Sequence, residues 1–328
     1  MHLVGCATVG IGGQILHTYR RHENAAANAT TWTPFINIEN EALGGADRGL
    51  FNVGDVACAL NGVPSSPGDL DVCVVNNIGE VWHSVRKWNF NAPDTVAQWD
   101  ALGDVVQQSG DVGAHSRISC CLDRVEGLHV VSSTKDGNVW HTIRRFDGTW
   151  VPFGSVKGQA GDPGNVVDVA CAWDWNELHV CVVTQGGDIS HTIRRADGSW
   201  FPFGIVQQQS GHVLPNTNIA LQGRTVSCWA EDGRLFLWVV TTDGKMLSTI
   251  RWSDGGWMPW SRETSWFSGT PVDIGVSGFS GLGGAGTHVA VVTNTGGLFH
   301  QMLGVGSGNV QNQAGQVGAF RSVALAGV

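Results

Sequence analysis

The stretch VWHTIRRFDGTWVPFGSV (139–156) returns fifty residues later as ISHTIRRADGSWFPFGIV (189–206). Drifted copies stand at VWHSVRK (81–87), MLSTIRWSDGGWMPW (246–260) and LFHQML (298–303). An N-terminal copy, ILHTYRR (15–21), is rejoined by TWTPF (31–35) after an insertion. One position tracks the unit along the chain: His17, His83, His141, His191, Ser248 and His300. Their spacings of 66, 58, 50, 57 and 52 residues fall in the range of a propeller blade.

Two further phrases complete the unit. Ahead of each copy runs an apolar strand ending in a glycine turn, as in LDVCVVNNIG (70–79), LHVVSSTKDG (128–137), LHVCVVTQGG (178–187), LFLWVVTTDG (235–244) and HVAVVTNTGG (288–297), with HLVGCATVGIGG (2–13) at the start. Strand, glycine turn and strand read as a hairpin. The Asp147-Gly148 and Asp197-Gly198 pairs predict a second hairpin, with positive φ supplied at the turn. The third phrase is VGDVACA (53–59), matched by RISCCL (117–122), VVDVACA (166–172), TNIALQG (217–223), VDIGVSG (272–278) and RSVALAG (321–327). Several of these follow a Gln-(Ser/Ala)-Gly connector at 108–110, 159–161, 209–211 and 313–315.

Each unit is then a four-strand meander, A (VxDVACA), B (LHVCVVT), C (VWHTIRR) and D (SWxPFGxV). Ala57, Ser119, Ala170, Ala220, Gly275 and Ala324 share one place in strand A, and their small size puts A nearest a crowded axis. The chain opens on a B strand and closes on an A strand. Pairing 321–328 with 2–9 would complete a blade and remove two open edges. The expected fold is therefore all-β, one propeller domain over 1–328, with six four-stranded blades. A sustained 3.6-residue period and a strand–helix alternation are both missing, which disfavours helical and α/β folds.

Composition narrows the partners. The net charge of −9 repels phosphate backbones and anionic surfaces, so neither nucleic acid nor membrane insertion is expected. The eight cysteines have no CxxC or zinc spacing and lie in or near apolar runs, as buried free thiols would. The start, Met1 to Cys6, has no basic region or long apolar stretch. The expectation is a cytoplasmic protein, or one released without a classical signal peptide.

The sharpest polar feature is on strand C. Arg20, Arg86, Arg144, Arg194 and Arg251 follow the tracked position by three residues, and Leu303 replaces them in the last copy. Trp32, Trp99, Trp150, Trp200 and Trp257 open strand D. An indole face suits the C–H face of a pyranose, and a guanidinium suits its hydroxyls. One Arg and one Trp per blade, beside a diverging inter-blade groove, form a candidate sugar clasp. The competing reading is that these residues lock blade to blade. The tracked histidines sit at different angles round a ring, so they cannot converge on one metal ion. Asp55, Asp168 and Asp273, with Asn218, fall at strand A starts, where they would satisfy backbone groups or, at a tunnel mouth, hold a hard cation. Enzyme signatures (GxSxG, HExxH, P-loop) are missing, and no cofactor is expected.

The phrase HTIRRADGSWFPFG (191–204) with its Gln-(Ser/Ala)-Gly connector resembles the repeat of bacterial propeller lectins of the PLL type. That family is seven-bladed and fucose-binding, with sugar sites between neighbouring blades. Six-bladed fungal fucose lectins are similar in architecture only. The first resemblance covers most of the chain, is strongest over 138–213, and departs in blade number and around Ser248 and His300. It implies inter-blade sites and a multivalent, non-enzymatic lectin for fucose or related sugars, with glycans as partners and a homo-oligomer compatible with them. The alternatives are a protein-interaction scaffold using insertions at 22–31, 39–50 and 89–98, or a glycan hydrolase or lyase with clustered acids.

Overall fold

The computed structural model describes residues 2–10, 12–22, 32–42, 52–61, 68–87, 98–211, 221–263, 266–281, 284–303 and 306–327. The three insertions assigned to a scaffold role lie largely outside these residues, as do Asn218 and Ala220.

Six antiparallel sheets form six blades. From the axis outward, the second blade is Val53–Leu60, Leu70–Asn76, Val81–Lys87 and Gln98–Trp99, with Gly103–Asp104 also on its third strand. The third is His115–Leu122, Gly127–Thr134, Val139–Arg145 and Gly154–Ser155. The fourth is Val166–Asp174, Glu177–Thr184, Ile189–Arg195 and Gly204–Ile205. The fifth is Gly223–Glu231, Arg234–Thr241, Met246–Arg251 and Ser261–Arg262, and the sixth Pro271–Gly281, Gly284–Thr293, Leu298–Met302 and Gly306–Asn309.

The first blade is built from both chain ends. Phe320–Gly327 pairs with His2–Gly10, in register Ala7 with Ala324, and Ile15–His22 and Ile36–Asn37 follow. The expected closure is thus in place. Each A strand packs on the A strands of its two neighbours, and the ring shuts between the first and second blades.

Two details differ from expectation. The fifth A strand is Gly223–Glu231, one segment later than TNIALQG. Its register puts Thr225 where the other blades have Asp168 or Asp273, and Ser227 in the small-residue place. TNIALQG alternates as a strand should, but GRTVSCWAE is the run that meets Arg234–Thr241. Strand D is not continuous either. A single bridge at Trp150 or Trp200 is followed by a break, then by two residues at Gly154 or Gly204. Pro152 and Pro202 fill the break, where a missing N–H ends the ladder.

Local chemistry sets the turns. At the C–D hairpin Gly148 and Gly198 take φ of 87 and 86, and the preceding Asp keeps an ordinary φ. Asp147 Oδ1 instead accepts from the Thr149 N–H at 2.9 Å and its hydroxyl at 2.7 Å. Glycine alone supplies the positive φ there. The Gln-(Ser/Ala)-Gly connector is the end of a one-turn helix, such as Val156–Ala160, capped by Ser155 at its start. Its last carbonyl accepts from the next blade's D segment: Ser109 from Phe153 N–H, Ala160 from Phe203 N–H.

The hydrophobic core is divided into six. Each cluster joins two adjacent blades, as Cys181, Val183 and Ile189 of the fourth pack on Val226, Leu235 and Leu237 of the fifth. Seven cysteines have described side chains, and all are free thiols in or beside these clusters.

Candidate functional site

The strand C arginine and strand D tryptophan of one blade are cross-strand partners: Arg86 with Trp99, Arg144 with Trp150, Arg194 with Trp200 and Arg251 with Trp257. Partners across an antiparallel pair share a face. That face looks at the preceding blade, because each indole meets that blade's tracked histidine in a T-shaped contact. Trp99 meets His17 at 5.7 Å between ring centres, Trp150 meets His83 at 5.5 Å, and Trp200 meets His141 at 5.7 Å. Trp257 meets His191 at 5.4 Å, and Trp32 meets His300 at 5.0 Å. Packing and candidate ligand contacts therefore occupy the same seams.

The seams are unequal. Trp32, Trp99 and Arg86 are buried, and Arg86 lies over the Tyr19 ring at 5.1 Å. Those two seams present no open indole. Trp150, Trp200 and Trp257 are half-buried, as are Arg144, Arg194 and Arg251. Arg20 is also half-buried, and burial holds its guanidinium below the usual value. Between the fifth and sixth blades the pattern is gone: Ser248 donates to Glu263 at 2.5 Å, Leu303 stands for the arginine, and Trp229 stacks on Phe236 at 4.4 Å.

The seam between the third and fourth blades is the most fully built. Arg194 Nη1 is 2.7 Å from Glu126 Oε2 across the seam, with a second contact at 3.5 Å. Glu126 belongs to a turn tied down by Asp123, whose Oδ1 accepts from the N–H groups of Val125, Glu126 and Gly127 at 2.6–2.8 Å. Asp123 Oδ2 also lies 2.8 Å from His129 Nε2. Burial pushes the Asp123 carboxyl up, but the bonds from His129, Gly127 and Val125 outweigh it and leave it at about 2. Asp123, Glu126 and His129 stand close enough to offer one ligand atom each to an ion. The Asp123 oxygens are already engaged within the turn, and Glu126 is engaged by Arg194.

Histidine pairs were missed in the sequence. His129 Nδ1 lies 3.0 Å from His141 Nε2, His179 Nδ1 3.0 Å from His191 Nε2, and His288 Nδ1 2.9 Å from His300 Nε2. In the second blade Asp71 replaces the first member, 2.8 Å from His83. The signal was present at the second place of LHVV, LHVC and LDVC, twelve residues ahead of each tracked histidine. Burial drives His141 and His191 well below their usual value, helped by their partner histidines and by Arg194 and Arg251 respectively. A neutral His141 or His191 has one donor and one acceptor nitrogen, so in each of these two pairs Nε2 serves its partner in a single role.

At the axis, Asp55, Asp168 and Asp273 do line a cavity of about 70 Å³, with Thr225 in place of the expected Asn218. Each reaches the next blade's A strand: Asp55 accepts from Ile118 N–H at 2.9 Å, Asp168 from Val226 and Asp273 from Val323 at 2.8 Å. The same Asp168 oxygen also accepts from the Thr225 hydroxyl at 2.5 Å, and the remaining oxygens face Ser322 (2.7 Å from Asp55), Thr225 (3.2 Å from Asp273) and Arg117, which lies 3.7 Å from Asp55 and 3.9 Å from Asp168. The Arg117 guanidinium lies beside two of the three carboxylates, and each carboxylate ties its own blade to the next, so these acids serve as inter-blade latches.

No family model and no curated protein matches the chain. Solved structures do. A fucose-specific lectin from Aleuria aurantia aligns with a TM-score of 0.60 at 11% identity, covering 97% of this chain and 90% of that one. AofleA from Arthrobotrys oligospora aligns at 0.61 and 12%, covering 96% and 82%. SapL1 lectin in complex with α-methyl fucoside aligns at 0.53 and 14%, covering 93% and 94%. What this chain shares with these proteins is the fold, a β-propeller, here of six four-stranded blades.

Proposed function

We propose that the protein is a multivalent, non-enzymatic lectin for fucose or related sugars, with its sites in the seams between blades. One observation carries this reading: on the third, fourth and fifth blades an arginine and a half-buried indole stand side by side on the face that looks into the seam. A flat apolar ring beside a forked donor matches a pyranose with one C–H face and several hydroxyls. Glu126 adds an acceptor beside Arg194. The PLL-like phrase is most complete over the third and fourth of these blades, and similar solved structures are described as fucose-specific or as complexes with fucose-containing ligands. The working set under this reading is Arg144/Trp150, Arg194/Trp200 and Arg251/Trp257. The pairs Arg86/Trp99 and Arg20/Trp32 hold the ring together. Shallow sites on one rigid ring gain avidity when a surface presents several ligands at the right spacing.

Calorimetry with α-methyl fucoside, alongside a glycan array, tests the proposal. The expected stoichiometry is up to three, falling by one with Arg194→Ala and to none when Arg144, Arg194 and Arg251 are all replaced by Ala in a still-folded ring. Absence of binding to any sugar at millimolar concentration, or a triple variant that binds like the parent, would sink it.

A further inference from the structure

The turn joining the two inner strands of the fourth blade reads Trp173-Asp174-Trp175-Asn176-Glu177. Trp175 is 74% exposed and sits at φ 57. That left-handed region is a genuine outlier for a bulky side chain. The fifth blade makes the same two-residue turn between Glu231 and Arg234, and there the matching residue is Asp232, at φ 52. Aspartate tolerates this conformation. The turn thus requires the backbone shape and not the indole, which faces water at a conformational cost.

Its position gives the indole a use. Glu177 pairs with Arg195 and Leu178 with Arg194, so the turn lies at the end of the blade where the strand C arginines lie. Trp173, two residues before Trp175, crosses the seam and stacks on His129 of the third blade at 5.0 Å and 21°. On the far side, the third blade's turn exposes Val125 by 74%, next to the Glu126 that holds Arg194. At this end of the two blades Trp175 and Val125 stand on the turns that join the two inner strands, Trp200 lies on the outermost segment, and the Arg194–Glu126 pair falls between them in strand order. First and third strands of a blade lie two strand spacings apart, about 10 Å. That is the reach of one or two sugar residues beyond a ring held at Arg194.

We propose that Trp175 is an extension subsite, a platform for the second or third residue of an oligosaccharide whose terminal ring occupies the seam between the third and fourth blades. The proposal rests on the lectin reading above. A rigid indole offers a large amphipathic contact to a sugar face at little cost in side-chain entropy. Its surroundings are polar: Arg124, Asp232 and Asn176 are exposed nearby in the sequence or the adjoining turn, which suits a hydroxylated ligand better than a lipid surface.

The test is Trp175→Asn, which keeps a residue suited to left-handed backbone. Affinity is measured by calorimetry for α-methyl fucoside and for a fucosylated tetrasaccharide, together with thermal melting. The expected result is an unchanged affinity for the monosaccharide, a loss of about tenfold for the tetrasaccharide, the size of one aromatic contact, and a melting temperature equal to or above the parent's. An unchanged ratio of the two affinities, a parallel loss of both, or a lowered melting temperature overturns the subsite while leaving the lectin reading intact. A parent protein that binds neither ligand overturns both.

Discussion

Acidification from pH 7 to pH 5 should weaken this fold, and the structure says which groups decide it. Burial lowers His115 to about 4, against an opposing nearby Asp111, and lowers His179 to about 3, helped by Arg251. An unfolded histidine titrates near 6.5, so the unfolded chain takes up these protons first and stability falls with pH. Integrated between pH 7 and 5, each costs about 1.9 kcal/mol, or about 4 kcal/mol for the two. The axial acids work the other way. Burial raises Asp168 to about 6, and burial with the Asp55 charge raises Asp273 to about 7. Their stabilising protonation is complete in the folded ring at low pH and lost as pH rises, so on acidification they return about 1.3 and 2.3 kcal/mol. Asp174, raised to about 6 but partly exposed, adds a smaller screened gain. These terms nearly cancel. The balance then falls to His17, His141 and His191, all driven well below their usual value by burial and by nearby positive or histidine groups. Each stays neutral in the folded ring while the same residue in the unfolded chain takes up a proton, so all three add to the loss and set its sign. Urea unfolding followed by tryptophan fluorescence should show a lower midpoint at pH 5 than at pH 7. A midpoint equal or higher at pH 5 would refute the reasoning.

Asp273→Asn removes a group that takes up a proton on acidification, so the pH 5 loss measured the same way should deepen by about 2 kcal/mol. Gly278→Ala would place a Cβ 1.9 Å from the Trp229 ring, and overpacking of about 1–3 kcal/mol should lower the melting temperature by several degrees. Deleting residues 320–328 removes the A strand that His2–Gly10 pairs with, and should yield an aggregating chain by light scattering where the full ring is dispersed.

The blade count and the closure were legible because the repeat is carried by local phrases: a glycine turn, an Asp-Gly hairpin and a tracked histidine can each be read within twenty residues. Leu303 and Ser248 likewise announced the degenerate seam between the fifth and sixth blades. What escaped was set by contacts between blades about fifty residues apart. TNIALQG was as good a strand as GRTVSCWAE until the partner strand Arg234–Thr241 chose between them. Arg144/Trp150 and Arg86/Trp99 look alike in sequence, yet burial separates an open groove from a closed joint. The His129–His141 pair needed a diagonal across two strands, and Trp175 stands out only once its φ is known.

The division of the apolar interior into six shared layers has a bearing on ligands. Because every layer belongs to two blades, no blade can loosen without weakening both neighbours, and the array behaves as a closed chain of nearest-neighbour couplings with no terminal unit to fray. A molecule seated in a seam bridges the two members of one coupling. It would be felt as a brace on the whole circle, so thermal shift should report occupancy of any seam, and a weakened joint elsewhere in the circle should be rescued by ligand bound at a distant one.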